Sequence, residues 1–209
     1  RHTFAYMKLF ITSILALFFF MGCTHTETNF FDTERKLEDT NTQQEVFQYS
    51  APWDTAMYEQ AYEQAKKIQP DITEPIKGGI VPHHLVSAHT VAAFFDSISS
   101  QNPSVIVLIG PNHFSRGQSD FLTTKRDWQT PFGVVETDTK IQNKLLSQGV
   151  IAVDETAIKE EHSVYALIPF IHESAPNATV LPIIIKESAT PEMIDDLVMQ
   201  LHETLPKDA

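Results

Sequence analysis

The chain has 209 residues, 42% of them hydrophobic, which suffices for one globular domain with additional segments. Its 27 acidic and 15 basic side chains give a formal net charge of −12, which argues against nucleic acid as a partner, because affinity for phosphates comes mainly from clustered Lys and Arg. The single cysteine, Cys23, excludes an intramolecular disulfide and a multi-cysteine zinc site. A bound metal ion would need histidine and carboxylate ligands.

The first 23 residues have the pattern of an export signal. Residues 9–20 (LFITSILALFFF) are apolar or small, but the stretch is shorter than the roughly 20 residues that span a bilayer. The sequence Phe-Met-Gly then precedes Cys23, as in a bacterial lipoprotein signal whose cysteine is lipidated. An uncleaved signal anchor is the alternative. Both interpretations predict a domain that lies outside the cytoplasm and is anchored to the membrane.

The composition changes twice along the chain. Residues 24–50 are rich in Thr, Asn, Gln and Glu and poor in aliphatic side chains, as in a solvated tether. Beyond them the pattern is that of a globular protein. The predicted organisation is therefore a signal peptide over 1–23, a polar tether over 24–50 and a folded domain over 51–209.

The first elements of this domain alternate between helix and strand. Apolar residues at helical spacing predict a helix over 54–69, ended by Pro70, and an amphipathic helix over 87–98. Residues 78–84 (GGIVPHH) are predicted to form a strand that runs into a loop. Residues 104–110 (SVIVLIG) predict a second strand, apolar on both faces as in the middle of a covered parallel sheet.

The later elements continue the alternation. They are predicted as an extended excursion or hairpin over 121–136, a helix over 137–149, a strand over 150–153, a helix over 162–174 with a kink at Pro169, a buried strand over 179–186 and a helix over 190–205 with Thr190 as its N-cap. The order of these elements predicts an α/β fold, with a mainly parallel sheet covered by helices on both faces.

Histidines follow two of the predicted strands. His83 and His84 come after the first and His113 after the second. Open parallel sheets bind ligands beyond the carboxyl ends of their strands, and neutral imidazole is a common ligand of iron, copper, zinc and nickel. The sequence therefore places candidate metal ligands at one edge of the sheet. The other histidines are interpreted as residues without a special role: His2, His25, His89, His172 and His202.

The segment EEHS, residues 160–163, has two interpretations. Its carboxylates could cap a helix, where the helix dipole favours negative charge. Alternatively, the segment could supply a general acid/base, or a hydrogen bond that orients a metal ligand. The residues alone leave both open.

Four motifs, in this order, resemble the MEMO family, whose bacterial members are called AmmeMemoRadiSam system protein B. They are IVPHH (80–84), IGPNHFSRG (109–117), WQTPFGVV (128–135) and EEHSVYALIPFI (160–171). The resemblance covers roughly residues 47–204. It implies a fold similar to that of the class III extradiol dioxygenases, with iron or copper held in a crevice lined by histidines.

The resemblance also implies roles for single residues. His83 and His113 match metal ligands of the family, and His162 matches a histidine of the same pocket, with an acid/base or substrate-binding role. Glu161 and His84 are the candidates for a supporting role behind the ligands. His84 stands where the family has a small residue, so it either lends another imidazole or fills space. The family continues to a further ligand, often Cys, and we expect a C-terminally truncated chain that lacks this third ligand.

Two functions follow as expectations. The first is a metal-dependent oxidoreductase of the extradiol dioxygenase-like class, with a small molecule in the crevice. The alternative is a non-catalytic module that binds a peptide or a metal and is tethered to the membrane. A zinc hydrolase is disfavoured because the chain has no His-Glu-x-x-His motif. By family association alone, Amme-type and radical-SAM proteins are expected partners, although an exported protein would be separated from them.

Overall fold

The computed structural model describes residues 47–68, 72 and 74–209. The predicted signal, Cys23 and most of the predicted tether lie outside the described residues. Phe47–Tyr49, which the sequence placed at the end of the tether, instead form a strand of the folded domain. Among the described residues, no helix combines the length and the apolar character needed to cross a membrane.

The described elements are α-helices and β-strands in mixed order. They are β1 (Phe47–Tyr49), α1 (Thr55–Ala65), α2 (Ala88–Ser99), β2 (Val105–Pro111), β3 (Phe121–Thr123), β4 (Asp127–Gln129), β5 (Val134–Val135), α3 (Thr139–Ser147), β6 (Ala152–Val153), α4 (Glu155–Lys159), α5 (His162–Tyr165), α6 (Ile168–Ser174), β7 (Thr179–Ile185) and α7 (Pro191–Thr204). A short 3-10 helix, Leu85–Ser87, leads into α2. The α/β fold predicted from the sequence is confirmed.

The main sheet has the strand order β2-β7-β3-β6. Strands β2 and β7 are parallel and pair along their whole length, from Val105 opposite Thr179 to Pro111 opposite Ile185. Strand β3 is antiparallel to β7 and parallel to β6, so two of the three pairings are parallel and the sheet is mixed. A small second sheet has the order β1-β4-β5. Its β4 and β5 form the hairpin predicted within residues 121–136.

Helices cover both faces of the main sheet, and this explains why the sequence of strand β7 is largely apolar. Val180 and Ile184 belong to a core cluster that also contains side chains of α1, α2 and α6, whereas Leu181 and Ile183 belong to a second cluster with α3 and α7. Successive side chains of a strand point to opposite faces, so a strand buried on both faces needs apolar residues at both parities.

Two predicted elements differ from the structure. Residues 78–84 form no strand, because no described strand pairs with them, and Ile80 is fully exposed. The helix predicted over 162–174 is two helices, with α5 ending at Tyr165 and α6 beginning at Ile168. Pro169 lies in the first turn of α6, where its missing N–H has no intrahelical partner to lose. Pro169 therefore starts a helix rather than kinking one.

Candidate metal centre

Three histidines from distant parts of the sequence meet at one end of the main sheet. His83, His113 and His162 each offer one ring nitrogen, and the three nitrogens lie within 4.8 Å of one another. The ring centroids of His83 and His113 are 5.0 Å apart, and those of His113 and His162 are 4.4 Å apart. The structure thus brings together the two predicted ligands and the predicted acid/base residue.

The ends of β2 and β7 fix the position of the loop that contains His113. Asn112, which is buried, donates its backbone N–H to the carbonyl of Ile185 at the end of β7 (2.7 Å). Its side chain donates to the carbonyl of Arg116 (2.8 Å) and accepts from the backbone N–H of the same residue (3.1 Å). The loop that carries His113 is therefore fixed at both ends.

The carboxylate of Glu161, which has no solvent exposure, orients His113. It accepts hydrogen bonds from the backbone N–H of His113 (2.8 Å) and from that of Ser163 (3.0 Å). Its Oε1 also lies 2.7 Å from Nδ1 of His113. A carboxylate only accepts, so Nδ1 of His113 donates, and the lone pair of the neutral ring is on Nε2.

Glu161 also resolves the two interpretations of the EEHS segment, because the same side chain satisfies both. It is the N-cap of α5 through its bond from Ser163, and it orients His113. The adjacent Glu160 instead forms an ion pair with Arg116 at the surface.

The charges of the site favour neutral imidazoles beside an ionised carboxylate. Burial raises the pKa of Glu161, but hydrogen bonds from Ser163 and His113 outweigh it and hold that pKa below its usual range. Burial lowers the pKa of His83, and the nearby His113, His84 and His162 lower it further. Burial and His113 likewise lower the pKa of His162. Neutral imidazole is the form that binds metal ions.

The buried ring nitrogen of His83 provides a direct test of whether these residues suit a metal. Its Nε2 is buried and has no hydrogen-bond partner among the described residues. Leaving such a group unpaired costs about 1–3 kcal/mol. A buried nitrogen without a partner is available to bind a cation, and the three nitrogen donors of the cluster suit iron, copper, zinc or nickel. The residues present therefore fit a transition metal.

His84 lies beside this cluster without joining it. Its ring centroid is 4.7 Å from that of His83 and 5.4 Å from that of His162, but its nitrogens are not part of the group of three. Its side chain is exposed. Among the described residues, His89, His172 and His202 also lie outside the cluster.

Two polar residues for which the sequence predicted no role, Asn112 and Ser163, also fix the site. Asn112 anchors the loop of His113, and the Ser163 hydroxyl donates to the carbonyl of Pro111 (2.9 Å), which ties α5 to the end of β2. Gly110 allows this approach, since a Cβ there would lie 2.4 Å from the Ser163 oxygen. Asn112 and Ser163 lie inside two of the quoted motifs, directly beside His113 and His162, and that position was the available signal.

Comparisons with known proteins agree with this picture. A family model described as "Memo-like protein" matches residues 52–207. The chain is 30% identical to a MEMO1 family protein of Nitrosopumilus maritimus over 128 residues, which are 59% of this chain and 46% of that protein. It is 35% identical to one of Methanothermobacter thermautotrophicus over 112 residues (52% and 40%) and 32% identical to one of Aquifex aeolicus over 127 residues (59% and 45%). The match thus spans less than half the length of each of these relatives. Because the family model matches most of this chain, the protein belongs to the Memo-like family.

Proposed function

We propose that His83, His113 and His162 hold one transition-metal ion, iron or copper, and that the protein is a metal-dependent oxidoreductase of the extradiol dioxygenase-like class. The observation that carries the proposal is the group of three imidazoles, whose ring nitrogens lie within 4.8 Å of one another and in which His83 has a buried Nε2 without a hydrogen-bond partner among the described residues. Membership of the Memo-like family supports it.

In this proposal His162 is the third ligand rather than an acid/base residue. Its ring nitrogen lies within the same 4.8 Å group as those of His83 and His113, and burial keeps it neutral by lowering its pKa. Three protein nitrogens leave further coordination positions open for a small molecule.

The remaining residues supply position and charge. Iron or copper bound here would supply electron transfer and an electrophilic centre. Glu161 holds the proton on Nδ1 of His113 and provides a negative charge behind that ring. His84, which is exposed and lies beside the rings of His83 and His162, is an imidazole available to exchange a proton with a bound small molecule.

Metal analysis of single variants tests the ligand set. After loading with Fe(II) without oxygen, or with Cu(II), followed by dialysis, we expect about one metal ion per chain in the parent protein. His83→Ala, His113→Ala and His162→Ala should each lose that metal, whereas His202→Ala, in an exposed position on α7, should retain it. A His113→Ala variant that bound metal with unchanged affinity would refute the site. A His162→Ala variant that kept the metal but lost turnover would return His162 to the acid/base role.

A non-catalytic module that binds a peptide or a metal is the second candidate. The observation in its favour is the open position of the cluster, since His84 and His113 are exposed. The metal-loaded protein is assayed for oxygen consumption with catechols under aerobic conditions. Turnover that depends on the metal supports the oxidoreductase, whereas stoichiometric metal without turnover supports the binding module.

We also propose that the protein is exported and anchored to the membrane through Cys23. This rests on the sequence of residues 9–23 alone. Labelling of cells with a radioactive fatty acid should mark the parent protein but not a Cys23→Ser variant. Protease protection in intact cells would refute export, and a cytoplasmic position would restore Amme-type and radical-SAM proteins as expected partners.

A further inference from the structure

The loop that follows His113 places an aromatic ring and a cation beside the candidate metal centre. Phe114, the next residue, is 54% exposed. The guanidinium carbon of Arg116 lies over the Phe114 ring, 5.4 Å from its centre. Arg116 also forms an ion pair with Glu160, the neighbour of the Glu161 that orients His113. The two segments that carry these histidine and carboxylate groups therefore meet twice, once at the buried carboxylate and once at this surface pair.

The backbone of this loop is fixed in a strained turn. Ser115 has a φ of 49°, in the left-handed region that residues other than glycine seldom adopt. Its N–H donates to the carbonyl of Asn112 (3.1 Å), and the Asn112 side chain forms hydrogen bonds with both backbone groups of Arg116. Strain of this kind persists where the surrounding contacts determine the conformation, and it is frequent at ligand sites. The turn therefore fixes the direction in which the Arg116 side chain leaves the backbone.

The guanidinium of Arg116 has donors left for a ligand. A guanidinium carries five N–H donors, and Glu160 contacts only Nη1. Within the described part of the chain, no other acceptor contacts this guanidinium, and the Arg116 side chain is 42% exposed. An exposed ion pair adds little to stability, so the pair with Glu160 does not offset the strain of the turn. The free donors point instead to a ligand that accepts hydrogen bonds.

We propose that Arg116 binds the carboxylate of the small molecule that reaches the metal centre, and that the exposed part of Phe114 packs against the aromatic ring of that molecule. The assignment rests on the proposed function and names its substrate class as small aromatic carboxylates. A guanidinium binds a carboxylate through two parallel hydrogen bonds. An apolar wall with a few well-placed polar groups is the usual composition of a small-molecule site. Because the chain has a net charge of −12, an anion needs a local cation to approach it.

Glu160 competes with this ligand. It occupies one donor of Arg116 in the free protein, so a carboxylate must share the guanidinium with Glu160 or replace it. Loss of the Glu160 charge should therefore strengthen carboxylate binding, whereas loss of the Arg116 charge should weaken it. If the ion pair served structure alone, both changes would act in the same direction.

Two related compounds test the assignment on the Fe(II)-loaded protein without oxygen. They are catechol and protocatechuate, which is catechol with a carboxylate. Titration calorimetry measures the preference, defined as the ratio of the two affinities. Arg116→Gln should lower the preference for protocatechuate about tenfold. Glu160→Gln should raise it about threefold. Lys140→Gln removes the same charge as Arg116→Gln, at an exposed position on α3, and should leave the preference unchanged.

The Arg116→Gln variant also controls for two other effects. The carboxylate of protocatechuate changes the acidity of its ring hydroxyls, and the variant retains that effect. The hydrogen bonds of Asn112 go to backbone atoms of Arg116, so the turn is kept in the variant. We therefore expect Arg116→Gln to bind iron with the stoichiometry of the parent.

A measurement without metal separates this assignment from the proposed function. In NMR spectra of the metal-free, nitrogen-labelled chain, millimolar benzoate should shift the side-chain signal of Arg116 and the amides of its loop, whereas benzamide should not. Unchanged spectra with benzoate would refute the carboxylate site, and so would a parent preference retained by Arg116→Gln. A lower preference in both Arg116→Gln and Glu160→Gln would give the pair a structural role and overturn the assignment. Benzoate shifts in a protein that binds no iron would refute the metal centre but support carboxylate binding at Arg116.

Discussion

At the scale of single residues, Glu161 connects local structure to the proposed chemistry. Its carboxylate accepts a hydrogen bond from the backbone N–H of Ser163 at the start of α5 and another from Nδ1 of His113. Side chains that orient metal-binding histidines in this way contribute strongly to metal affinity, although they do not touch the metal. Because the carboxylate is buried, its charge acts on His113 with little screening by water.

Glu161→Gln should therefore lower metal affinity about 10- to 100-fold. The amide keeps the size of the side chain but removes the charge and offers a donor where Nδ1–H of His113 needs an acceptor. Competition with a chelator of known affinity measures the change. The matched control is Glu160→Gln, whose carboxylate pairs with Arg116 at the surface, and it should change affinity by less than about threefold. Equal losses in the two variants would contradict the orienting role.

For His84, which is exposed, we expect no loss of metal on substitution. Its nitrogens lie outside the group of three, so His84→Ala should leave metal stoichiometry unchanged. Any change in metal affinity should be small, because the ring of His84 lies beside that of His83 and acts on its pKa without sharing a metal ion with it. Elemental analysis after dialysis measures the stoichiometry. Loss of the metal in His84→Ala would make it a ligand and revise the site.

At the scale of elements, helix α1 packs on α6 through two tyrosines in different environments. Tyr62 donates its one hydroxyl proton to the carbonyl of Phe170 (3.2 Å) and accepts a hydrogen bond from the Ser174 hydroxyl (2.8 Å). Tyr58 has no exposed surface and contacts the rings of Trp53, Phe132 and Phe170, but its hydroxyl has no hydrogen-bond partner within the described part of the chain.

This difference predicts opposite costs for the same change. Tyr62→Phe should lower the free energy of unfolding by about 1 kcal/mol, because it removes hydrogen bonds and leaves Ser174 without its partner. Tyr58→Phe should be neutral or stabilising, because it removes an unpaired buried hydroxyl and keeps the ring contacts. Urea unfolding of the two variants against the parent measures both values. A larger loss in Tyr58→Phe would contradict the assignment of partners.

The sequence predicted well those elements whose local pattern of apolar residues agrees with their burial. Strands β2 and β7 are continuous apolar runs, and α2 and α7 have apolar residues at helical spacing, so local pattern and burial agree. Residues 78–84 contain only a short apolar stretch, Ile80 and Val81, and a strand also needs a partner. Whether a partner strand is present depends on residues far away in the sequence. Among the described residues, only β7 pairs with β2, and the other edge of β2 has no partner strand.

At the scale of the whole molecule, the sequence predicted which residues meet but not how they meet. His83 and His113 were expected together because both follow predicted strands, yet only His113 follows an actual strand. The entry of His162 into the cluster depends on the packing of α5 against the end of β2, through Ser163 and Gly110. The direction of β3 depends on its pairing with β7, which a strand of three residues cannot encode locally.

The tyrosine cluster also predicts the response of the whole domain to alkaline pH. Burial raises the pKa of Tyr58 and of Tyr62 well above the usual value of about 10. The unfolded chain then loses these two protons at lower pH than the folded one. The stability that they contribute is complete below about pH 10 and is lost as the pH rises toward the folded-state values. Urea unfolding at a series of alkaline pH values measures the slope, and the absorbance of tyrosinate should rise together with unfolding. The double variant Tyr58→Phe/Tyr62→Phe removes both titrating groups and should unfold with a shallower pH dependence, whereas a slope equal to that of the parent would show that other groups govern alkaline unfolding.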